Sequence, residues 1–449
     1  MGSEWREYEL GEIAENVSRP FKFEGRDSVV FINTGDVELG KFLHADRSSP
    51  VGLPGQAKKK IEKGDILFSE IRPANGRYAE VIFDCDDYVV STKFMVIRLT
   101  KEGIDQRFFL TQLTSQQTLL EFQRIAESRS GTFPQITFDA VSYFPFTFPP
   151  LPEQKAIAHI LGSLDDKIEL NRRMNATLEE MAQALFKSWF VDFDPVIDNA
   201  LAAGNPIPDE LAARAEVRRQ ALADGTANRE AAKYFPDSFQ ETEAMGWIPE
   251  GWEALPLDRV ADFKNGLALQ KFRPQSGEDP LPIVKIAQLK NGEATWDELA
   301  SPSISADCII DDGDVVFSWS GSLMIDVWCG GKAALNQHLF KVTSDNFPKW
   351  FYFKWSDEHL NNFQKIAADK AVTMGHIKRS HLSEALCAVP GNHLIKLGAE
   401  HFDPILERII SNRLHSRSLT KLRDTLLPKL ISGDLRLPEA ERLTEQALA

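Results

Sequence analysis

The stretch from Pro150 to Val191 constrains the chain most. It carries apolar or seam-compatible residues at Ile157, Leu161, Leu164, Ile168, Asn171, Asn175, Leu178, Ala182, Leu185 and Trp189. The steps alternate four and three, which is the 3.5-residue period of a coiled-coil seam. Pro152 suits the first turn, where its missing N–H costs nothing. A helix from Glu153 to Trp189 would span about 55 Å at ~1.5 Å per residue, too long for the core of a small domain. It therefore predicts a partner helix. A shift of 241 residues carries the pattern onto Phe402, Ile405, Ile409, Asn412, Ser416, Leu419, Arg423, Leu426 and Leu430. Asn171-Arg172 falls on Asn412-Arg413. An asparagine at the same seam position of both helices reads as a register device, since two amides pair in one alignment only.

The repeat extends beyond the helices. GWEALPLDRVADF at 251–263 restates EWREYELGEIAEN at 4–16, and GDVVFSWS at 313–320 restates GDILFSEI at 64–71. Ala371 to Ile377 restates Ser130 to Ile136, and Pro390 leads into the second long helix as Pro150 leads into the first. The repeat unit is one globular domain plus one long helix, used twice: a duplication, not a solenoid. Short apolar runs broken by Gly, Pro, Asn and Asp, with a helix over 106–127, make the first globular half mixed α and β. The expected fold is α+β: two mixed domains in pseudo-twofold arrangement, separated by two long antiparallel helices. The expected boundaries are 1–149 and 246–390 for the globular domains, 150–191 and 391–436 for the helices, 192–245 for a connector and 437–449 for a tail.

Charge must be read locally. The net charge of −15 argues mildly against nucleic acid. Residues 192–245, however, hold eleven Asp/Glu against five Arg/Lys, while 405–436 hold three against seven. The total hides separated patches. No apolar run is long enough for a membrane span. The N-terminus lacks the basic start and apolar core of a signal peptide. Cys85, Cys308, Cys329 and Cys387 are scattered, without the spacing of a zinc site, which fits a reduced cytoplasm.

Catalytic patterns are missing. There is no phosphate-binding GxxxxGK[ST], no GxGxxG, HExxH or GxSxG, and no amino-methylation motif. Asp139, Glu153 and Lys155 mimic a nuclease pattern, but an acid after Pro152 simply complements a helix dipole. The nine histidines have no ligand spacing, and no metal is expected. Polar loops suited to binding remain. In the first half they hold Ser69, Arg72 and Asn75, then Arg129, Ser130, Thr132 and Gln135. In the second they hold Ser318 and Ser320, Asn336, Gln337 and His338, then Lys370, Thr373, His376 and Lys378. Arginine grips phosphate or guanine, glutamine addresses adenine, and hydroxyls suit phosphates. Such loops at matching places in both halves suggest a double reader of DNA.

These features resemble the specificity subunits of Type I restriction–modification enzymes. The resemblance rests on PPLPEQKAIAHILGSLDDKIELNRRMNATLEEMAQALFKSWFVDFDPV, on FPDSF with MGWIPEGWE, on GDVVFSWSGS and on AALNQHLFKV, and it covers nearly the whole chain. The second repeat departs from PLPEQ, reading Pro390-Gly-Asn-His-Leu394. The resemblance implies two target recognition domains, each reading half of an interrupted, asymmetric site in double-stranded DNA. It implies helices that set the gap and dock two methyltransferase subunits, with a restriction subunit joining the complex. S-adenosylmethionine and ATP would then belong to partner subunits, with no cofactor in this chain. The competing reading is a coiled-coil interaction scaffold, which would show no salt-dependent affinity for DNA.

Overall fold

Val29–Ile32 and Tyr88–Ser91 are short runs rich in β-branched residues, and both become strands paired in parallel. Parallel strands are covered on both faces, which is why they read as near-continuous apolar runs. The computed structural model describes residues 5–129, 133–369 and 375–448. The chain divides into two units, Met1–Lys167 with Leu419–Ala449, and Ile168–Ser418.

In the first unit one sheet runs in the order Arg19–Pro20, Ala57–Lys60, Tyr88–Ser91, Val29–Ile32, Arg47–Ser48. A second runs Tyr78–Glu80, Ile66–Ser69, Phe94–Leu99, Ala14–Asn16, all antiparallel. The core between them holds Val30, Ile32, Leu67, Val90, Phe94 and Val96. Arg6–Glu9 pairs with Pro145–Phe148 and closes the domain beside the start of the first long helix, α1 (Leu151–Phe186). Gln154 anchors that start: its amide donates to Gly103 O and Pro149 O and accepts from Asp105 N.

The second unit repeats this topology. One sheet runs Ile309–Ile310, Ala333–Leu335, Leu281–Val284, Leu299–Ala300, again with a parallel central pair. The other runs Met324–Val327, Val315–Ser318, Leu339–Thr343, Asp262–Asn265. Glu253–Pro256 pairs with Leu386–Val389 just before the second long helix, α2 (Asn392–Ser432). The two domains differ after the strands Val29–Ile32 and Leu281–Val284. The first continues into the hairpin Val37–Glu38/Lys41–Phe42, and the second into the helix Ile286–Asn291.

Within the second unit α1 and α2 run antiparallel. Phe186 meets Phe402, Asn175 donates to Ile409 O, and Asn171 donates to the Ser416 hydroxyl. The two predicted register residues do not pair amide to amide. Asn412 donates instead to Asn175 Oδ1 at 2.8 Å, and Asn171 meets Asn412 at its backbone carbonyl, at 3.5 Å. The reason is geometric. Exchanging the helices turns the pair Asn171–Ser416 into Asn412–Asn175, so the centre of the local twofold falls between the two positions. Within the first unit Arg423 of α2 reaches Asp165 of α1 at 2.7 Å. Leu437–Leu448, expected as a tail, is a helix with Ala440 buried.

The segment 192–245 is built rather than loose. The helices Asp194–Ala203 and Ala212–Ala223 are clasped by two forked pairs, Arg214 on Asp194 and Arg218 on Asp198. Both carboxylates are buried, so their charge is tolerated only through these partners. Phe193, Val196 and Phe235 join Phe190 and Trp252 in the core of the second unit. Among the described residues no helix is long and apolar enough to cross a membrane.

Candidate nucleic-acid interface

Each domain ends a central strand in a polar loop, and backbone hydrogen bonds hold two more segments against that loop. In the first domain the loop is residues 69–72. Glu70 N donates to Lys93 O, Ile136 N to Glu70 O, and Arg72 N to Pro134 O. In the second domain it is residues 318–321. Trp319 N donates to His338 O, Ile377 N to Trp319 O, and Gly321 N to Gly375 O. Isolated bridges join Ile71 to Gln135 and Ser320 to His376. The two sites therefore share one scaffold: a strand-end loop, a hairpin turn and an extended strap.

The scaffold sorts the residues marked in the sequence. Ser69 and Ser318 were expected to contact DNA, yet both are fully buried. The Ser69 hydroxyl donates to Ile71 O and that of Ser318 to Ser320 O, so each closes its own loop. Ser320 is buried as well, 3.0 Å from His338 Nδ1. These three hydroxyls support the loops and do not line their exposed edges. Arg72 and Asn75 are exposed, as are His376 and Lys378. Arg129 is exposed at the end of the helix Gln116–Arg129. That helix meets the 72–76 loop through Gln123, which accepts from Ala74 N. Gln135 donates to Glu70 at 2.8 Å, which leaves its carbonyl oxygen and its second N–H to meet a ligand. Ser130, Thr132, Lys370 and Thr373 lie outside the described residues.

The turns tell the same story. Asn336 accepts from His338 N through Oδ1, as Ser91 accepts from Lys93 N through its hydroxyl. Ser91-Thr92-Lys93 is thus the first-domain counterpart of Asn336-Gln337-His338, and the sequence reading missed it. Its only signal is position, two residues past a strand. Behind it Lys59 donates to Phe94 O. Burial lowers the Lys59 pKa while the Glu70 carboxylate pulls it the other way.

In the second domain Trp319 lies between His338 and His376, with ring centroids 5.8 and 6.3 Å away, and its indole N–H donates to Gln337 O. Among the described residues Gln337 Oε1 is buried with no hydrogen-bond partner, an acceptor in want of a donor. Beside the turn lies a cleft of about 670 Å³ lined by Gln270, Arg273, Lys285, Asp297 and Asn336 among others. The exposed aromatics Phe272 and Trp296 each sit one residue from its lining. Among the described residues no cluster of His, Cys, Asp and Glu has the makings of a metal site.

The chain has relatives. A family model described as the Type I restriction modification DNA specificity domain matches residues 2–180. The specificity subunit of the Type I restriction enzyme HindI of Haemophilus influenzae is 37% identical over 461 residues, covering 96% of this chain and 100% of that one. The specificity subunit of the Type I restriction enzyme MjaIX of Methanocaldococcus jannaschii is 23% identical over 350 residues, covering 76% of this chain and 72% of that one. Among solved structures, the Type I restriction–modification S subunit from M. genitalium is 12% identical, with a TM-score of 0.43, over 96% of this chain and 97% of that one. With an identity above one third along almost the whole of both chains, this protein belongs to the specificity subunits of Type I restriction enzymes, the non-catalytic subunits that give a restriction–modification system its DNA specificity.

Proposed function

We propose that the two domains, residues 1–149 and 246–390, each read one half of an asymmetric, interrupted DNA site. The helices, residues 150–191 and 391–436, set the gap and dock two methyltransferase subunits, and residues 192–245 connect the halves. Methyl donor and ATP act on partner subunits, and the complex works on DNA in the cytoplasm. One observation carries this reading. The same three-segment scaffold recurs in both domains with different side chains on its rim: Glu70, Arg72 and Lys93 in one, Trp319, Gly321 and His338 in the other. A shared frame with divergent tips is what two readers of unlike half-sites need. Arg72 and Lys93 suit guanine and phosphate, while Gln337 suits adenine, on a turn that the buried Asn336 closes.

The test uses the chain assembled with its methyltransferase partner. Methylated adenines are mapped in a host genome with and without it, and duplexes carrying either half-site in randomised form are then bound. Two separated blocks of preference are expected. Loss of the Gln337 side chain should relax the second block only. If no duplex is preferred, or if changes on one side of the gap do not matter, the reading fails. A heptad inserted in both helices should widen the recognised gap by about 10.5 Å, or ~3 base pairs. An unchanged gap would remove the ruler.

A further inference from the structure

Among the described residues three that are not glycine hold a left-handed backbone: Leu39, Arg72 and Phe193. Phe193 is buried in the core of the second unit. The other two share one surface of the first domain. Leu39 and Gly40, with φ of 45° and 88°, form the two-residue turn between Val37–Glu38 and Lys41–Phe42. A turn with positive φ at both positions favours Asn, Asp or Gly at the first. A leucine there is strained, because its Cβ crowds the backbone. Nor is it repaid by burial, since it is 63% exposed.

The turn is nevertheless firmly placed. Leu39 N donates to Gly76 O and Gly40 N to Tyr78 O. Arg77 donates to Val37 O and pairs with Glu38. The leucine side chain lies over Gly76, where an added Cβ would come within 2.7 Å of it. The 72–76 loop beneath begins at Arg72, itself left-handed and held by Pro134 O in the strap of the reading scaffold. The second domain has neither the hairpin nor the long loop. A helix, Ile286–Asn291, follows the matching strand, and Ser318 is joined to Met324 by a shorter turn. Two additions special to one domain thus pack on each other and present one exposed leucine beside Arg72 and Asn75.

Strain held by surrounding contacts, at a side chain left mostly exposed, is the pattern found at functional sites. We infer that Leu39 is a specificity-determining residue of the first domain, its isobutyl group set against the C5-methyl of a thymine in the first half-site. This rests on the proposed reading of DNA by that domain. A thymine methyl is the one apolar feature a base edge offers in the major groove. Arg72 and Asn75 beside it supply the polar contacts that fix register.

The test is Leu39→Asn in the full chain with its methyltransferase partner. Asparagine accepts the left-handed turn, so the thermal midpoint should hold or rise. Preference at one A·T position of the first half-site should fall about tenfold, the scale of discrimination at one base pair, while the second half-site is read unchanged. Deoxyuridine in place of that thymidine should weaken the native protein to the same extent and leave the variant indifferent. Unchanged preference at every first-half position overturns the inference. So does a drop in midpoint, which would mean that the leucine is kept for stability. Arg72→Ala separates the levels: if it relaxes the first half-site while Leu39→Asn is silent, only the leucine's role falls. If both are silent, the loop reading of that domain falls with it.

Discussion

The two domains share strand order and backbone scaffold, yet they fix the same motif with different strength. Gly64-Asp65 and Gly313-Asp314 begin equivalent strands. Each aspartate accepts from the backbone N–H three residues before it, that of Glu62 or Asp311, at 2.8 Å. Asp65 is fully buried and takes a forked pair from Arg19 and a third bond from Arg98. Hydrogen bonding to Asp65 raises the Arg19 pKa. Asp314 keeps 29% of its side chain exposed and takes Lys341 alone. The difference shows which part of a duplicated motif is conformational and which is electrostatic. The backbone cap is needed to start the strand in both copies. The charge network follows local burial and has diverged.

This comparison breaks first at Asp65. Replacing it by alanine removes the acceptor for four hydrogen bonds and leaves Arg19 and Arg98 with Glu62, at 3.7 and 3.1 Å, as their remaining carboxylate. Breaking a buried pair costs about 3–5 kcal/mol, and the partial exposure of Arg19 and Arg98 puts this case near ~3. The equivalent Asp314→Ala should cost about 1 kcal/mol, as a partly exposed pair with one retained turn does. Denaturant unfolding, followed with hydrogen exchange in the strands Ile66–Ser69 and Val315–Ser318, measures both. Equal losses would show that burial does not set the difference.

The helices test the same idea at smaller scale. Arg413 of α2 reaches Asp326 and Val327 O in the second domain's sheet, and Arg417 reaches Asp312. Arg172, the counterpart of Arg413, pairs with Glu169 on its own helix. Burial opposes the charge of Arg413, and its carboxylate partners, Asp326 first and then Glu179, act against it, so its pKa is raised. Truncating Arg413 to alanine should destabilise the second unit by about 2 kcal/mol, a charged hydrogen bond's worth. Arg172→Ala should change stability by under about 0.5 kcal/mol. Near-equal effects in thermal unfolding would erase the distinction between an arginine that ties its helix to the domain and one that pairs along its own helix.

Much of this plan was legible in the chain. The seam positions Ile157, Leu161, Leu164, Ala182, Phe402, Leu419, Leu426 and Leu430 are all buried, because a 3.5-residue period has one geometric meaning. The repeats at 64–71 and 313–320 land on equivalent strands. Three things were hidden, each for a physical reason. The order of the connector 192–245 is not legible, since composition counts Asp194 and Asp198 but does not place Arg214 and Arg218 opposite them. Ser69 and Ser318 looked like contacts, since nothing in a loop sequence tells an inward hydroxyl from an outward one. Leu39 carried no signal at all, because its strain exists only once the hairpin closes.

The smallest expected effect is the sharpest discriminator between the two reading turns. Lys93 and His338 occupy the same place, each giving its carbonyl to the neighbouring loop. Their side chains differ in permanent charge. A lysine set on a phosphate releases about one counterion on binding, so Lys93→Ala should weaken all duplexes alike and flatten the salt dependence of log K by about one unit. His338, held at Nδ1 by Ser320 and tilted against Trp319, is placed by its ring. His338→Ala should leave the salt slope within about 0.3 of the native value and change relative preference among second half-sites instead. Titrations from 50 to 200 mM salt on two duplexes, one altered in each half, resolve the four outcomes. If both variants shift the slope equally, the turns do one job in two places. If only Lys93→Ala does, the duplicated frame carries a phosphate anchor in its first copy and a base reader in its second.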